Sequence, residues 1–337
     1  MRVCDWIAEY LWSRGVKNVY GIMGGGAAGL NDGFIKQGQI NYRCFHHEQG
    51  AAHAAIGEAK LIRRVAVVNP TTGCAGTNCA TSVLDAWQDS IPLLFISGNV
   101  RLDTCSGHIN RTKGINVRKY GIQEHHIIDT YRSITKYCEF VTRPEDVPMA
   151  LQYALHIAQD GRPGPVWIDI PGNVQTAEMP EQYREYTGPF EKLTMPIDYA
   201  AIKLAIAKAE RPVVLAGYGI RQANCVDEFV RFVEQYQIPF VSTFAGRDYT
   251  ANSHELSVGA IGIKGSRAGN FAVSNADLLI VLGSSLGGSV IGYDPAQFSP
   301  ASYKIVVDVD AEELKKSIVN IDQTVNVDLK QFFGAML

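Results

Sequence analysis

The sequence has no run of about twenty apolar residues, so no segment is expected to cross a bilayer as a helix. No Lys/Arg-rich run appears, and a formal net charge of -3 gives no electrostatic reason to expect nucleic acid as a partner. Its seven cysteines, Cys4, Cys44, Cys74, Cys79, Cys105, Cys138 and Cys225, are scattered, and none forms a Cys-x-x-Cys pair. That spacing argues against a zinc site or a disulfide framework, and for reduced thiols in a cytoplasmic protein. The first residues do not read as a secretory leader. Asp5 and Glu9 interrupt them, and Val3, Ile7 and Leu11 are spaced as one face of an amphipathic helix.

What is present is a long alternation of strand-like and helix-like segments, which argues for parallel sheets covered on both faces. The 337 residues are enough for two domains at ~150 residues each. In the first half, strands are expected over 18–22, 41–45, 65–69, 93–97 and 166–170, with helices over 3–14, 27–36, 49–60, 75–89 and 147–159. Residues near 176–196 carry Pro180, Pro189 and Pro196 without periodicity and read as a linker between a domain over 1–175 and another over 197–337. The second block alternates again, with strands expected over 212–216, 239–243, 278–282 and 304–308. The fold class is therefore α/β, two doubly wound parallel-sheet domains of similar architecture.

Three segments carry chemistry. Glu48, in Phe45-His46-His47-Glu48-Gln49-Gly50-Ala51-Ala52, stands where an extended run gives way to an Ala-rich helix. A carboxylate in the first turn of a helix is kept ionised by the dipole and the free N–H groups. The turn Gly21-Ile22-Met23-Gly24-Gly25-Gly26-Ala27 and the loop Thr71-Thr72-Gly73-Cys74-Ala75-Gly76-Thr77-Asn78 each join a strand to a helix. Small residues there let backbone N–H groups approach a ligand. Gln123-Glu124 follows a polar loop over 103–120. His125, His126 and Asp129 come next, but their spacing belongs to a surface rather than a metal site.

The order and spacing of these segments resemble the pyrimidine-binding domain of thiamine diphosphate enzymes, near the acetolactate synthase group. The resemblance implies that Glu48 is the catalytic carboxyl that hydrogen-bonds N1′ of the cofactor's aminopyrimidine. It implies that Met23, Gly24, Gly25, Thr71, Gly73, Cys74 and Asn78 line the cofactor, and that Gln123 faces the substrate. Met23 and Cys74 replace two family prolines, Ala75 a glycine, and Ile122 the aromatic residue that usually precedes the glutamine. Lys136 matches a basic family position.

The second half resembles the family's central domain through 211–219, 243–246, 262–265 and 276–283. In acetolactate synthases this domain holds FAD, but the run Ser284-Ser285-Leu286-Gly287-Gly288 stands in place of the family's RFDDR, and FAD is left open. The GDG and NN motifs that hold Mg2+ and the diphosphate in the family's third domain do not occur. The resemblance thus implies the first two of three domains. A homo-oligomer or a separate diphosphate-binding subunit would complete the site. The whole enzyme would be a lyase or transferase that decarboxylates a 2-oxo acid and passes the acyl carbanion to a carbonyl acceptor. The competing expectations are a non-catalytic flavin- or nucleotide-binding scaffold and a nicotinamide dehydrogenase. The scaffold reading leaves Glu48 without a purpose, and the dehydrogenase reading is set aside because the turn after the first strand is read as lacking a Gly-x-Gly-x-x-Gly fingerprint.

Overall fold

The structure, a computed structural model, describes residues 1–188 and 196–337. The chain divides into two compact units, Met1–Phe190 and Glu191–Leu337.

In the first unit six parallel strands stand in the order β2-β1-β3-β4-β6-β5. They are β1 (Asn18–Gly21), β2 (Asn41–Cys44), β3 (Ala66–Asn69), β4 (Leu93–Asn99), β5 (Tyr137–Phe140) and β6 (Val166–Pro171). Every residue of β3, β4 and β6 is buried, as expected of strands covered on both faces. The edge strand β2 is exposed at Asn41, Arg43 and Cys44. The helices are α1 (Val3–Ser13), α2 (Ala28–Gln37), α3 (Glu48–Ile62), α4 (Cys74–Thr77), α5 (Ala80–Gln88), α6 (Ser106–Lys113), α7 (Ile127–Tyr131), α8 (Val147–Ile157) and α9 (Gly172–Gln175).

Val3, Ile7 and Leu11 of α1 pack with Leu30 and Phe34 of α2 and Leu151 of α8 on one face of the sheet. Ala52, Ala55 and Ala59 of α3 pack with Val83 and Ala86 of α5 on the other, where short side chains bring the helices close. There the Trp167 indole lies between the Phe95 and Tyr131 rings, at centroid distances of 4.7 and 4.5 Å. The helix expected over 75–89 is divided into α4 and α5: Asn78 N still donates to Cys74 O at 3.1 Å, but Cys79 N turns to Gly76 O, three residues back, at 3.1 Å, and the four-residue ladder resumes with Val83 N on Cys79 O. Residues 177–186, expected to be linker, run along this unit: Val3 N donates to Ala177 O, Arg184 N to Glu145 O, and Tyr186 N to Gln152 Oε1. The linker residues 189–195 lie outside the described residues.

The second unit is also a six-stranded parallel sheet, ordered β9-β8-β7-β10-β11-β12. Its strands are β7 (Pro212–Ala216), β8 (Phe240–Ser242), β9 (Ser257–Ala260), β10 (Leu278–Leu282), β11 (Tyr303–Asp308) and β12 (Gln323–Asn326). Counted within the unit, this is the 3-2-1-4-5-6 order of doubly wound nucleotide folds. The first sheet runs 2-1-3-4-6-5, so the two halves share an architecture but differ in topology.

Candidate functional site

In an open parallel sheet, ligands bind beyond the carboxyl ends of the strands where the winding reverses. In the first unit that point lies between β1 and β3, since β2 pairs on the far side of β1. The turns leaving β1, β2 and β3 carry the segments singled out above.

Beyond β2 the chain crosses to β1, with Phe45 N donating to Gly21 O at 3.0 Å. His47 then caps α3: its Nδ1 accepts from Gln49 N at 3.2 Å. Glu48 is the first residue of α3 and is only 8% exposed. Asn78 Nδ2 donates to Glu48 Oε2 at 2.8 Å. No hydrogen bond is made by Glu48 Oε1 among the described residues. The site therefore holds a buried carboxyl with one oxygen fixed and the other uncommitted, at a helix start that favours negative charge.

The turn beyond β1 presses on the loop beyond β3. A Cβ on Gly24 would collide with the Thr71 side chain, and one on Gly26 with Thr72 Oγ1. Ala27 N donates to Thr71 Oγ1 at 3.2 Å. Gln175, buried in α9, donates from Nε2 to Gly26 O at 2.7 Å and accepts from Leu30 N at 3.1 Å. Contrary to the expectation that the turn lacks it, glycines 24, 26 and 29 have Gly-x-Gly-x-x-Gly spacing. Their open faces are filled by Thr71, Thr72 and Gln175 rather than left for a dinucleotide's pyrophosphate, so the spacing serves packing. Of the glycines in this turn, Gly25 alone has open space where a Cβ would stand, and Met23, two residues before it, is 50% exposed.

Gly73 takes φ +51°, and a Cβ there would strike the Gln123 carbonyl. Gln123 is itself left-handed at φ +55°. The structure thus brings Gln123 beside the loop, pairs Asn78 with Glu48, and pairs Gly24 with Thr71. Cys74 and Met23 are exposed on the rim, with no hydrogen bond to Glu48 among the described residues.

Sequence reasoning missed the support beneath these loops. Asp169 is fully enclosed in β6, accepting from Ser97 Oγ at 2.6 Å and Asn99 Nδ2 at 2.8 Å. Trp167 Nε1 donates to Ser97 Oγ at 2.8 Å. Asn99 Nδ2 also reaches His125 O at 3.2 Å, two residues beyond Gln123. Burial pushes the Asp169 carboxyl up to about 6, against the lowering effect of Ser97, Asn99 and His126. Gln175 and His47 were missed for a different reason: a glutamine at a domain's last helix and a histidine N-cap carry no strong signal.

Among the described residues no cluster suits a metal ion. His126 Nδ1 lies 2.9 Å from Asp129 Oδ2, and His125 Nε2 lies 2.7 Å from Thr130 Oγ1. Lys136 is structural: its Nζ donates to the carbonyls of Asp160 and Arg162 at 2.6 and 2.7 Å. A cavity of about 530 Å³ opens between Arg14, Val16, Arg64, Val65 and His156, at the amino end of the sheet, and none of the candidate residues lines it.

In the second unit the winding reverses between β7 and β10, where Gly217 and Gly219 meet Gly283 at backbone contact. Beyond β10, the Ser285 carbonyl is bonded by Lys316 Nζ, and Leu286 turns inward at φ +47°. No Arg or Lys stands in 284–288 to hold a flavin's phosphates.

Comparison with known proteins matches residues 1–130 to the family model of the thiamine pyrophosphate enzyme N-terminal TPP binding domain. Residues 199–336 match the thiamine pyrophosphate enzyme central domain. The acetolactate synthase large subunit of Lactococcus lactis is 35% identical over 341 residues, covering 98% of this chain and 56% of that protein. The isozyme 1 large subunit of Escherichia coli is 35% identical over 317 residues, covering 93% and 53%. That of Corynebacterium glutamicum is 34% identical over 328 residues, covering 95% and 49%. The chain spans about half the length of these relatives.

Proposed function

Since the chain belongs to the thiamine pyrophosphate enzymes, with their N-terminal and central domains, we propose that it supplies the pyrimidine half of an active site for decarboxylation and carboligation of a 2-oxo acid. The observation that carries this reading is Glu48: a buried carboxyl with one oxygen held by Asn78 and the other without a hydrogen bond among the described residues, at the sheet's switch point.

Thiamine diphosphate, when bound, supplies a thiazolium carbon that ionises with the help of its own aminopyrimidine, which lets a 2-oxo acid lose carbon dioxide. This chain's part is to seat the pyrimidine. Glu48 Oε1 would share a proton with N1′, while Asn78 fixes the side chain's rotamer. Burial of Glu48 keeps water from competing for that proton. Gly25 leaves the rim open for a ring to approach, and Cys74 and Met23 bound it. Gln123, held against Gly73, would face the 2-oxo acid. We assign Mg2+ and the diphosphate to a further domain, on the same chain or on a separate subunit, and assembly of copies would bring the halves together. The central unit is assigned a scaffold role, since 284–288 carry no Arg where the family has its arginine-containing run.

The test is Glu48→Gln, which keeps volume but removes the acid. With the diphosphate-binding domain supplied, turnover is expected to fall ~10²–10⁴-fold. Stability should change by only about 0.3–1 kcal/mol. On the chain itself, NMR titration with the aminopyrimidine alcohol moiety of thiamine should show weaker binding in the Gln variant. Equal binding and near-normal turnover would reduce Glu48 to a helix-start residue.

A further inference from the structure

The segment over 104–122, just before Gln123, contains no Asp or Glu but carries Arg111, Lys113, Arg118 and Lys119, in a chain whose net charge is -3. Uncharged residues are interleaved with them, which hides the density from a search for a basic run. All of 111–120 is exposed. None of these four cations makes an ion pair or hydrogen bond among the described residues, whereas Arg101 nearby pairs with Asp103.

The segment is built, not slack. The Glu124 carboxylate accepts from Ser106 N at 3.0 Å and from Tyr120 N at 2.9 Å, closing the ends of the excursion. Asn110 clamps Val117 twice, at 3.0 and 2.8 Å, across a turn at Gly114 with φ +65°. Gly121 packs against Val100 and the Thr104 carbonyl. Apolar side chains are nevertheless left outside: Tyr120 is 68% exposed and Ile122 80%. A strap whose flanking carboxylate, Glu124, is spent on backbone amides, and which holds four cations and an aromatic ring in solvent beside Gln123, is shaped for an anion with an apolar end. An anion binding there would displace no internal partner of the four cations, and its charge-assisted hydrogen bonds would be among the stronger kind.

We propose that the strap over 106–122 is a binding site for a phosphate-bearing acceptor, a nucleoside diphosphate derivative or a sugar phosphate. It would draw the acceptor's phosphates onto Arg111, Lys113, Arg118 and Lys119, with Tyr120 and Ile122 covering its ring. The idea rests on the reading of Gln123 as substrate-facing for its role in catalysis, but the binding itself does not.

The test is calorimetric titration of the 337-residue chain with uridine diphosphate, a hexose 6-phosphate, uridine, the free hexose and an acidic peptide. The phosphorylated compounds should bind and their neutral counterparts should not. Raising the salt, which screens exposed charges, should weaken binding. Arg118→Gln with Lys119→Gln should weaken it about tenfold, as should Arg111→Gln with Lys113→Gln, with unchanged melting temperatures. Tyr120→Ala should weaken uridine diphosphate alone if the acceptor is a nucleotide, and neither probe if it is a sugar phosphate. Binding of both should survive Glu48→Gln, so failure of the thiamine reading and failure of this one are told apart. No binding of either phosphate compound, binding unchanged in both double variants, or binding of the acidic peptide only, would overturn the proposal.

Discussion

Asp169 and Asp5 are two carboxyls that the fold pushes in opposite directions. Enclosure raises Asp169 to about 6, above the usual carboxylate value near 3.9, because Ser97 and Asn99 only partly replace water. The folded state therefore holds this proton more tightly than the unfolded chain. Its contribution to stability is greatest below pH ~4, falls as pH rises to about 6, and is level above that. Asp5, beside Arg2 and Lys36, is lowered to about 2, so its contribution is lost only as pH falls from ~4 toward 2. The windows do not overlap. Urea unfolding of wild type and Asp169→Asn between pH 4 and 7 should show the wild type losing ground to the variant by a few kcal/mol as pH rises. A difference that stays constant across that range would mean Asp169 is not titrating there.

At the scale of elements, the site is held by contacts between turns. Gly73 combines a left-handed backbone with direct contact to the Gln123 carbonyl. Gly73→Ala is expected to cost roughly 1–3 kcal/mol in urea unfolding, and to increase amide exchange at Gln123 and Glu124. Gly25→Ala, facing open space, should leave stability within about 0.5 kcal/mol. Much of this level was legible in the sequence. The strands over 212–216 and 278–282 stand as expected, since continuous apolar runs between turn signals admit one reading. The edge strands β5, β9 and β12 were missed, because their half-exposed residues lack both a buried run and clean alternation. The helix α6 was missed inside a loop read as polar, since none of its residues is buried and its N-terminus is capped by Glu124, eighteen residues from Ser106. Of the site, Glu48 and the Asn78 loop announce themselves by spacing. Asp169 and Gln175 do not, because what they do depends on residues far off in the chain.

At the scale of the whole molecule, each unit has its own sheet and two buried cores, one per face. A fragment over 1–188 is therefore expected to fold alone, with a cooperative thermal transition and a near-UV signal from the enclosed Trp167. A fragment with helix content but no near-UV signal or cooperative melting would show that the first unit borrows its order. All pairings in both sheets are parallel, so neighbouring strands wait on long crossovers before they can meet. The turn at Gly26 is the extreme case. Its carbonyl is secured by Gln175, 149 residues later. At ~5–20 residues per second on the ribosome, that turn emerges on the order of ten to thirty seconds before its partner exists. The nascent chain thus makes the walls of the candidate site early and closes its latch last, and a ribosome stalled anywhere before residue 175 leaves the Gly26 turn without the side chain that secures it.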